Sequence, residues 1–170
     1  MTVLQIRVPG KSKGALVLQK TQLFQRAVFF AMLNPQPDGA CFAGMLTNVT
    51  HIDLSEMAGE DSQGLVLQVR AQGDMDHYKI TMTNTEFFGQ DADYMYEAKF
   101  QLEKNTEDFQ TVTIPWSDFH AYHWGYVLVS APPLDLAKIG VLGIQVYGGV
   151  FDEYAQTGVG SLEMDFIAFY

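Results

Sequence analysis

Asp118, His120 and His123 bring one carboxylate and two imidazoles into six consecutive residues. Those groups can ligate a transition metal or share a proton. A zinc site needs a second ligand pair at matching spacing, and the sequence has none, so a loop with locally bonded histidines is expected and no metal is assigned. The acid pairs Asp91/Asp93, Glu107/Asp108 and Asp152/Glu153 offer oxygen donors for calcium, or two carboxyls for acid–base work. None has the order of an EF-hand loop, and solvated strand ends are expected. No G-x-S-x-G elbow occurs, Ser117 and Ser130 have no evident base, and Cys41 sits among Ala40, Phe42 and Ala43 as a buried structural thiol would. Gly148 and Gly149 lack the Lys-Ser/Thr of a phosphate loop, which leaves a bend or a close backbone approach. The expectation is a protein without catalytic residues or cofactor.

Two other groupings suit contact better than chemistry. Trp116, Phe119, Tyr122, Trp124 and Tyr126 fall within eleven residues, too dense for strict in–out alternation, so some must lie at the surface. They read as a small core under a loop, as a protein interface, or as a platform for sugar rings. Arg7, Lys11, Lys13, Lys20 and Arg26 occur in the first 26 residues with no acid among them, interrupted by Pro9, Gly10 and Gly14. This basic arm reads as a solvated terminus balancing an acidic body, or as a docking element for an acidic partner or anionic membrane. The candidate interface is Trp116, Phe119, Tyr122, Trp124 and Tyr126 with Arg7, Lys11 and Lys13.

The elements that must carry these residues are strands. The 170 residues are 48% hydrophobic and 18% charged, enough apolar mass for one well-filled domain without disulfide or metal staples. A net charge of -10 argues against a nucleic-acid partner. Residues 86–170 hold thirteen acids against three bases, whereas residues 1–85 balance at seven each. The longest apolar run, Ala27 to Leu33, has seven residues, far short of the roughly 20 a membrane helix requires. The opening MTVLQIRVPGKSKG has neither the apolar stretch of a secretory signal nor the length of an organellar presequence, so none is expected. The single thiol fits a reducing compartment.

Turn clusters every ten to fifteen residues divide β-branched and aromatic runs into strands at Ala15–Gln19, Ala27–Leu33, Ala40–Thr47, Gly64–Ala71, His77–Asn84, Tyr94–Leu102, Thr111–Pro115, Val141–Tyr147 and Ser161–Phe169. Leu65, Leu67 and Val69 alternate with Val66, Gln68 and Arg70. Tyr78, Ile80 and Met82 alternate with Lys79, Thr81 and Thr83, whose side is expected to meet solvent. Gln72-Gly73-Asp74 between these runs predicts a tight antiparallel hairpin. Short helical turns are expected at Asp53–Met57 and at Leu134–Lys138, the latter capped by Asp135, and a turn with aromatic pins at Trp116–Phe119. The fold class is all-β, a single-domain sandwich or jelly roll over 27–170, preceded by the arm and a first short strand over 1–26.

In order and spacing the chain from Ala27 onward resembles the complex I intermediate-associated protein family. The segments that carry this are Asp53-Leu54-Ser55, Gly64 through Arg70 leading by Gly73-Asp74 to Tyr78-Lys79-Ile80-Thr81-Met82, Tyr96-Glu97-Ala98-Lys99-Phe100, Phe109 through Phe119 with its Ile114-Pro115-Trp116-Ser117-Asp118-Phe119 ending, Ile139 through Ile144, and Leu162 through Ile167. The family's Met-Gly-Gly-Ser element is missing. Its basic Arg-Gly-Arg stretch is replaced by Trp124-Gly125-Tyr126. The resemblance implies a galactose-binding-domain-like β-sandwich in a shortened member. It further implies a non-catalytic assembly factor or peripheral accessory subunit that binds protein subunits of a membrane electron-transfer complex. That client would be respiratory complex I in a mitochondrion or a photosystem at a plastid thylakoid, on the matrix or stromal side, or in the cytoplasm of a bacterium. The alternative is a carbohydrate-binding module, because galactose-binding-like sandwiches often present aromatic loops to sugars. The lack of a secretory signal and of disulfides speaks against it.

Overall fold

In the segment Gly64–Gly73, Leu65, Leu67, Val69 and Ala71 are at most 3% exposed, while Gln68, Arg70 and Gln72 on the alternate positions are half-buried. This period of two sets one side of each strand against the core. The structure, a computed structural model, describes residues 11–36, 40–50, 53–84, 94–123, 125–149 and 154–170. In chain order the strands are β1 (Lys13–Lys20), β2 (Gln25–Leu33), β3 (Ala40–Asn48), β4 (Gly64–Gly73), β5 (His77–Asn84), β6 (Met95–Gln101), β7 (Gln110–Pro115), β8 (His120–His123), β9 (Tyr126–Val127), β10 (Ile139–Gly149) and β11 (Gly158–Phe169). One helix, α1 (Leu54–Ala58), lies between β3 and β4.

Two antiparallel sheets face each other as a β-sandwich of jelly-roll type. One runs β1-β2-β11-β4-β7 and the other β3-β10-β5-β6-β8-β9. Phe29, Leu33, Leu67, Val69 and Leu162 meet Tyr78, Ile80, Met82, Ala98 and Val146 between them, and each is essentially inaccessible to water. Full burial of each large side chain contributes about 1.5–3 kcal/mol, and this layer is what holds the sheets together.

The expected β4–β5 hairpin does not form. β4 pairs with β11 and β7, whereas β5 pairs with β10 and β6. Gly73 has φ +94, and a Cβ there would lie 2.8 Å from Gly160 Cα. Asn105 Oδ1 accepts its N–H, and Asp74 N–H bonds Val159 O at 2.9 Å. The chain therefore crosses from one layer to the other here, so both alternating runs deliver their apolar side to the same interior. Buried Gln156 fixes the crossing: its Oε1 accepts from the N–H groups of Asp76 and His77, and its Nε2 donates to His77 O and Tyr147 O.

The solvent side expected for β5 is also corrected. Thr81 and Thr83 are each only 3% exposed. Thr81 lies opposite Gly143 and Glu97 in the flanking strands, and a Cβ on Gly143 would sit 2.5 Å from Thr81 Oγ1. A glycine there lets the neighbouring side chains close over the hydroxyl.

Local expectations fare better. The helical turn expected at Asp53–Met57 is α1 at Leu54–Ala58, with Asp53 outside it as the cap that accepts from the N–H groups of Ser55 and Glu56. Asp135 caps a short 3-10 turn at Leu136–Lys138 through Ala137 N–H. Both carboxyls are held below the usual aspartate range, Asp53 chiefly by the Ser55 hydroxyl and Asp135 chiefly by Lys138. Cys41 is buried, and a Cβ on Gly148 would come within 2.8 Å of Gln156 N, the close backbone approach expected there. Strands β8 and β9 were not expected.

Candidate functional site

Pro115 ends β7, and the 3-10 turn Trp116–Asp118 turns the chain across the end of the sandwich. Trp116 is half-buried, with ring centroids 5.8 Å from Phe119 and 6.1 Å from Phe169, and its Nε1–H donates to Ser62 O at 3.1 Å. Phe119 is 6% exposed and belongs to the core. These two aromatics pin the turn and present little surface to a partner. Beyond them, β8 alternates: His120 is exposed, Ala121 is buried, and Tyr122 is half-buried on the outer side of the six-stranded sheet. Tyr126 is 70% and Val129 95% exposed. Trp124 lies outside the described residues, as do Arg7 and the acid pairs Asp91/Asp93 and Asp152/Glu153.

Tyr122 borders a polar strip on that outer side. Lys99 Nζ lies 5.2 Å from the Tyr122 ring centroid and 5.1 Å from that of Tyr147, and Lys79 Nζ lies 5.2 Å from the same Tyr147 ring. Lys79 Nζ meets Glu97 Oε2 at 2.7 Å, both side chains nearly buried. Such a pair has lost most of its hydration, so it persists only while both partners remain. Thr81 Oγ1 and Thr83 Oγ1 beside it have no hydrogen-bond partner. The half-buried Tyr122 ring and exposed Lys99 can meet polar groups, whereas Thr81, Thr83 and Tyr147 are closed to solvent, and none of these is an activated nucleophile.

The displaced titration points elsewhere and is structural. Tyr96 O–H donates to Pro132 O at 3.0 Å and Pro133 O at 3.2 Å, tying that segment to β6. Burial first, and then Tyr94, push its phenol up to about 12. Burial raises Tyr78 as well. His120 and His123, three apart on β8, alternate to opposite sides of the strand, and among the described residues no three His, Cys, Asp or Glu side chains gather as a metal site.

The basic residues divide. Arg26 belongs to β2, where its Nη1 meets Glu163 Oε1 at 3.1 Å and its Nε meets Asp165 Oδ1 at 2.9 Å. Those acids, the Asp165 hydrogen bond foremost, raise the guanidinium pKa. Arg70 shares Glu163, and the Phe109 ring lies 4.6–4.7 Å from both guanidinium carbons. Lys11 and Lys13 are exposed at the start of β1, and Lys20 is exposed at its end. Sequence reasoning missed the exposed apolar residues between them and just after: Leu16 is 40%, Val17 46% and Leu18 68% exposed, and Leu23, past Lys20, is 94% exposed. Alternation gives the side a residue faces, but it does not show whether the opposite sheet reaches far enough to cover it.

A family profile described as "Complex I intermediate-associated protein 30" matches residues 7–164. No curated protein sequence matches. Among solved structures, the chain is similar to a Family 11 carbohydrate-binding module from Clostridium thermocellum in complex with a β-1,3-1,4-mixed-linked tetrasaccharide, with a TM-score of 0.64 and 13% identity over 95% of this chain and 84% of that one. It is similar also to the Family 11 module of the cellulosomal cellulase Lic26A-Cel5E of the same organism, with a TM-score of 0.59 and 13% identity over 95% and 83% of the two chains. At that identity the likeness concerns the fold alone. No helix among the described residues is long and apolar enough to cross a membrane.

Proposed function

We propose, because the chain belongs to the complex I intermediate-associated protein 30 family, that it is a non-catalytic assembly factor or peripheral accessory subunit of a large membrane redox complex. The client is respiratory complex I, or a photosystem where the host compartment is a plastid, and the protein works on the matrix or stromal side, or in the cytoplasm of a bacterium. The observation that carries this reading is the family match over residues 7–164. The described residues agree with it: their displaced titrations belong to caps, core tyrosines and surface ion pairs, while apolar and aromatic side chains stand exposed on the edge strands β1 and β9, among other places. Tyr122, Tyr126, Lys11 and Lys13 are the contact residues, joined by Arg7 and Trp124 from outside the described residues. Trp116 and Phe119 support the turn that carries the aromatic group.

Affinity purification of the tagged full chain from mildly solubilised host membranes tests the reading. Co-recovery of several subunits of one electron-transfer complex is expected. Recovery as a free monomer from every fraction overturns it.

A second reading, carbohydrate binding, is favoured by the half-buried Tyr122 ring, which lies beside exposed Lys99 on the outer side of the six-stranded sheet. Glycan-array binding that is lost in Tyr122→Ala, with no complex recovered from membranes, would replace the first reading with this one.

A further inference from the structure

Nine Lys and Arg side chains lie among the described residues. Arg26, Arg70, Lys79, Lys104 and Lys138 each meet a carboxylate within 4.0 Å, and Lys99 lies against two tyrosine rings. The remaining three, Lys11, Lys13 and Lys20, are exposed and meet no acid among the described residues. All three belong to β1 or its approach. In a chain of net charge -10, the described cations that meet no described acid are thus gathered on β1 and just before it.

That strand is also a sheet edge. β1 is the terminal member of the five-stranded sheet and pairs with β2 along its full length, Lys13 opposite Met32 through Lys20 opposite Gln25. In such a strand alternate residues direct N–H and C=O away from the partner, and among the described residues no strand receives them. Its side chains are apolar on both sides. A Cβ on Gly14 would lie 2.9 Å from the Phe29 ring, so Gly14, Leu16 and Leu18 face the interior side, yet the two leucines are 40% and 68% exposed. Ala15 and Val17 face outward. β1 therefore overhangs the opposing sheet and leaves backbone and apolar surface uncovered together.

We propose that the free edge of β1 accepts an extended segment of another protein, apolar in its middle and acidic at both ends, as an added sixth strand. This names the partner chemistry of the adhesive reading above and rests on it. Main-chain hydrogen bonds supply affinity, the uncovered Leu16 and Leu18 supply apolar contact, and the lysines select the partner's charge. The same lysines argue against a second copy of this chain. Antiparallel self-pairing in full overlap sets Lys13 of each copy opposite Lys20 of the other, and like charges directly opposed weaken a ladder. One pair of terminal charges thus blocks self-association and favours an acidic partner.

The test uses the full chain and two labelled peptides, acetyl-Glu-Val-Thr-Leu-Thr-Val-Thr-Glu-amide and its Lys-flanked counterpart, read by fluorescence anisotropy with amide hydrogen exchange. The acid-flanked peptide should bind about tenfold more tightly and slow exchange within β1. Lys13→Glu with Lys20→Glu should reverse the preference; both sites are exposed, and unchanged urea unfolding confirms that the variant is folded. Equal binding of the two peptides, or no slowing within β1, overturns the proposal. So does a concentration-dependent dimer whose interface protects β1. Edge amides already protected in the free chain and released by deleting residues 1–10 overturn it too, because the chain's own amino-terminal segment then holds the edge. Membrane capture separates the two readings. A double variant that no longer discriminates the peptides yet still recovers the complex refutes the edge alone. A wild-type chain that prefers the acidic peptide but recovers no complex refutes the assembly role alone.

Discussion

The turn from Trp116 to Phe119 and the strand from Lys13 to Lys20 make an instructive pair. The first is rich in aromatics, yet it buries Phe119 and seats Trp116 on Phe119 and Phe169. The second has no aromatic, only small and aliphatic residues between Lys13 and Gln19-Lys20, yet every one of its eight residues is exposed. Trp and Phe are the residue types expected at interfaces, but here they stabilise the scaffold. Contact capacity follows from which element the opposite sheet leaves uncovered, more than from which residue is large.

The widest separation should come from truncating each region. Phe119→Ala removes a core ring and should lower unfolding free energy in urea by about 3–5 kcal/mol, with little change in m-value. A loss below about 1 kcal/mol would mean that the turn is not anchored through the core. Glu97→Ala leaves Lys79 nearly buried without its carboxylate and should cost about 3 kcal/mol by the same measurement. An effect near zero would show that the strip is hydrated in solution.

A pH series probes a tie further along the same end. Tyr96 keeps its proton in the fold up to about 12, while the unfolded phenol ionises near 10. Its contribution is therefore complete below pH 10 and drains away as pH rises to 12, by about 1.4 kcal/mol per unit, with buried Tyr78 acting in the same direction. Tyr96→Phe should cost about 1 kcal/mol near neutrality, where the two proline carbonyls lose their donor, and should flatten the alkaline limb. An unchanged alkaline limb in the variant would exclude Tyr96 as its source. The smallest effect is expected in β1. Leu18→Ser should change urea stability by no more than about 0.5 kcal/mol while weakening partner capture, which sharpens the contrast with Phe119.

Much of the scaffold was legible in the residues. The period-two runs at Leu65–Val69 and Tyr78–Met82 marked the two layers' inner sides, and Asp135 marked the cap of its short turn. What failed was long-range. Gly73 suits a hairpin turn and a layer crossing equally well, and only the competition of β11 and β7 for β4 decides between them. β8 and β9 are four and two residues long, too short for a period to show among the aromatics. Thr81 is buried on the outer side beside Gly143 and Glu97, and Thr83 opposite Val141, all contributed by other strands. The lysines of the candidate interface were visible from their spacing, but the uncovered leucines between them depend on how far the opposing sheet extends.

Native gel separation of mildly solubilised host membranes, probed for the tagged chain, bears most directly on the claim that this sandwich works by adhesion. The wild-type chain should migrate with a large membrane assembly, and Lys13→Glu with Lys20→Glu should shift it to the monomer position. Wild-type chain found only at the monomer position would contradict the account.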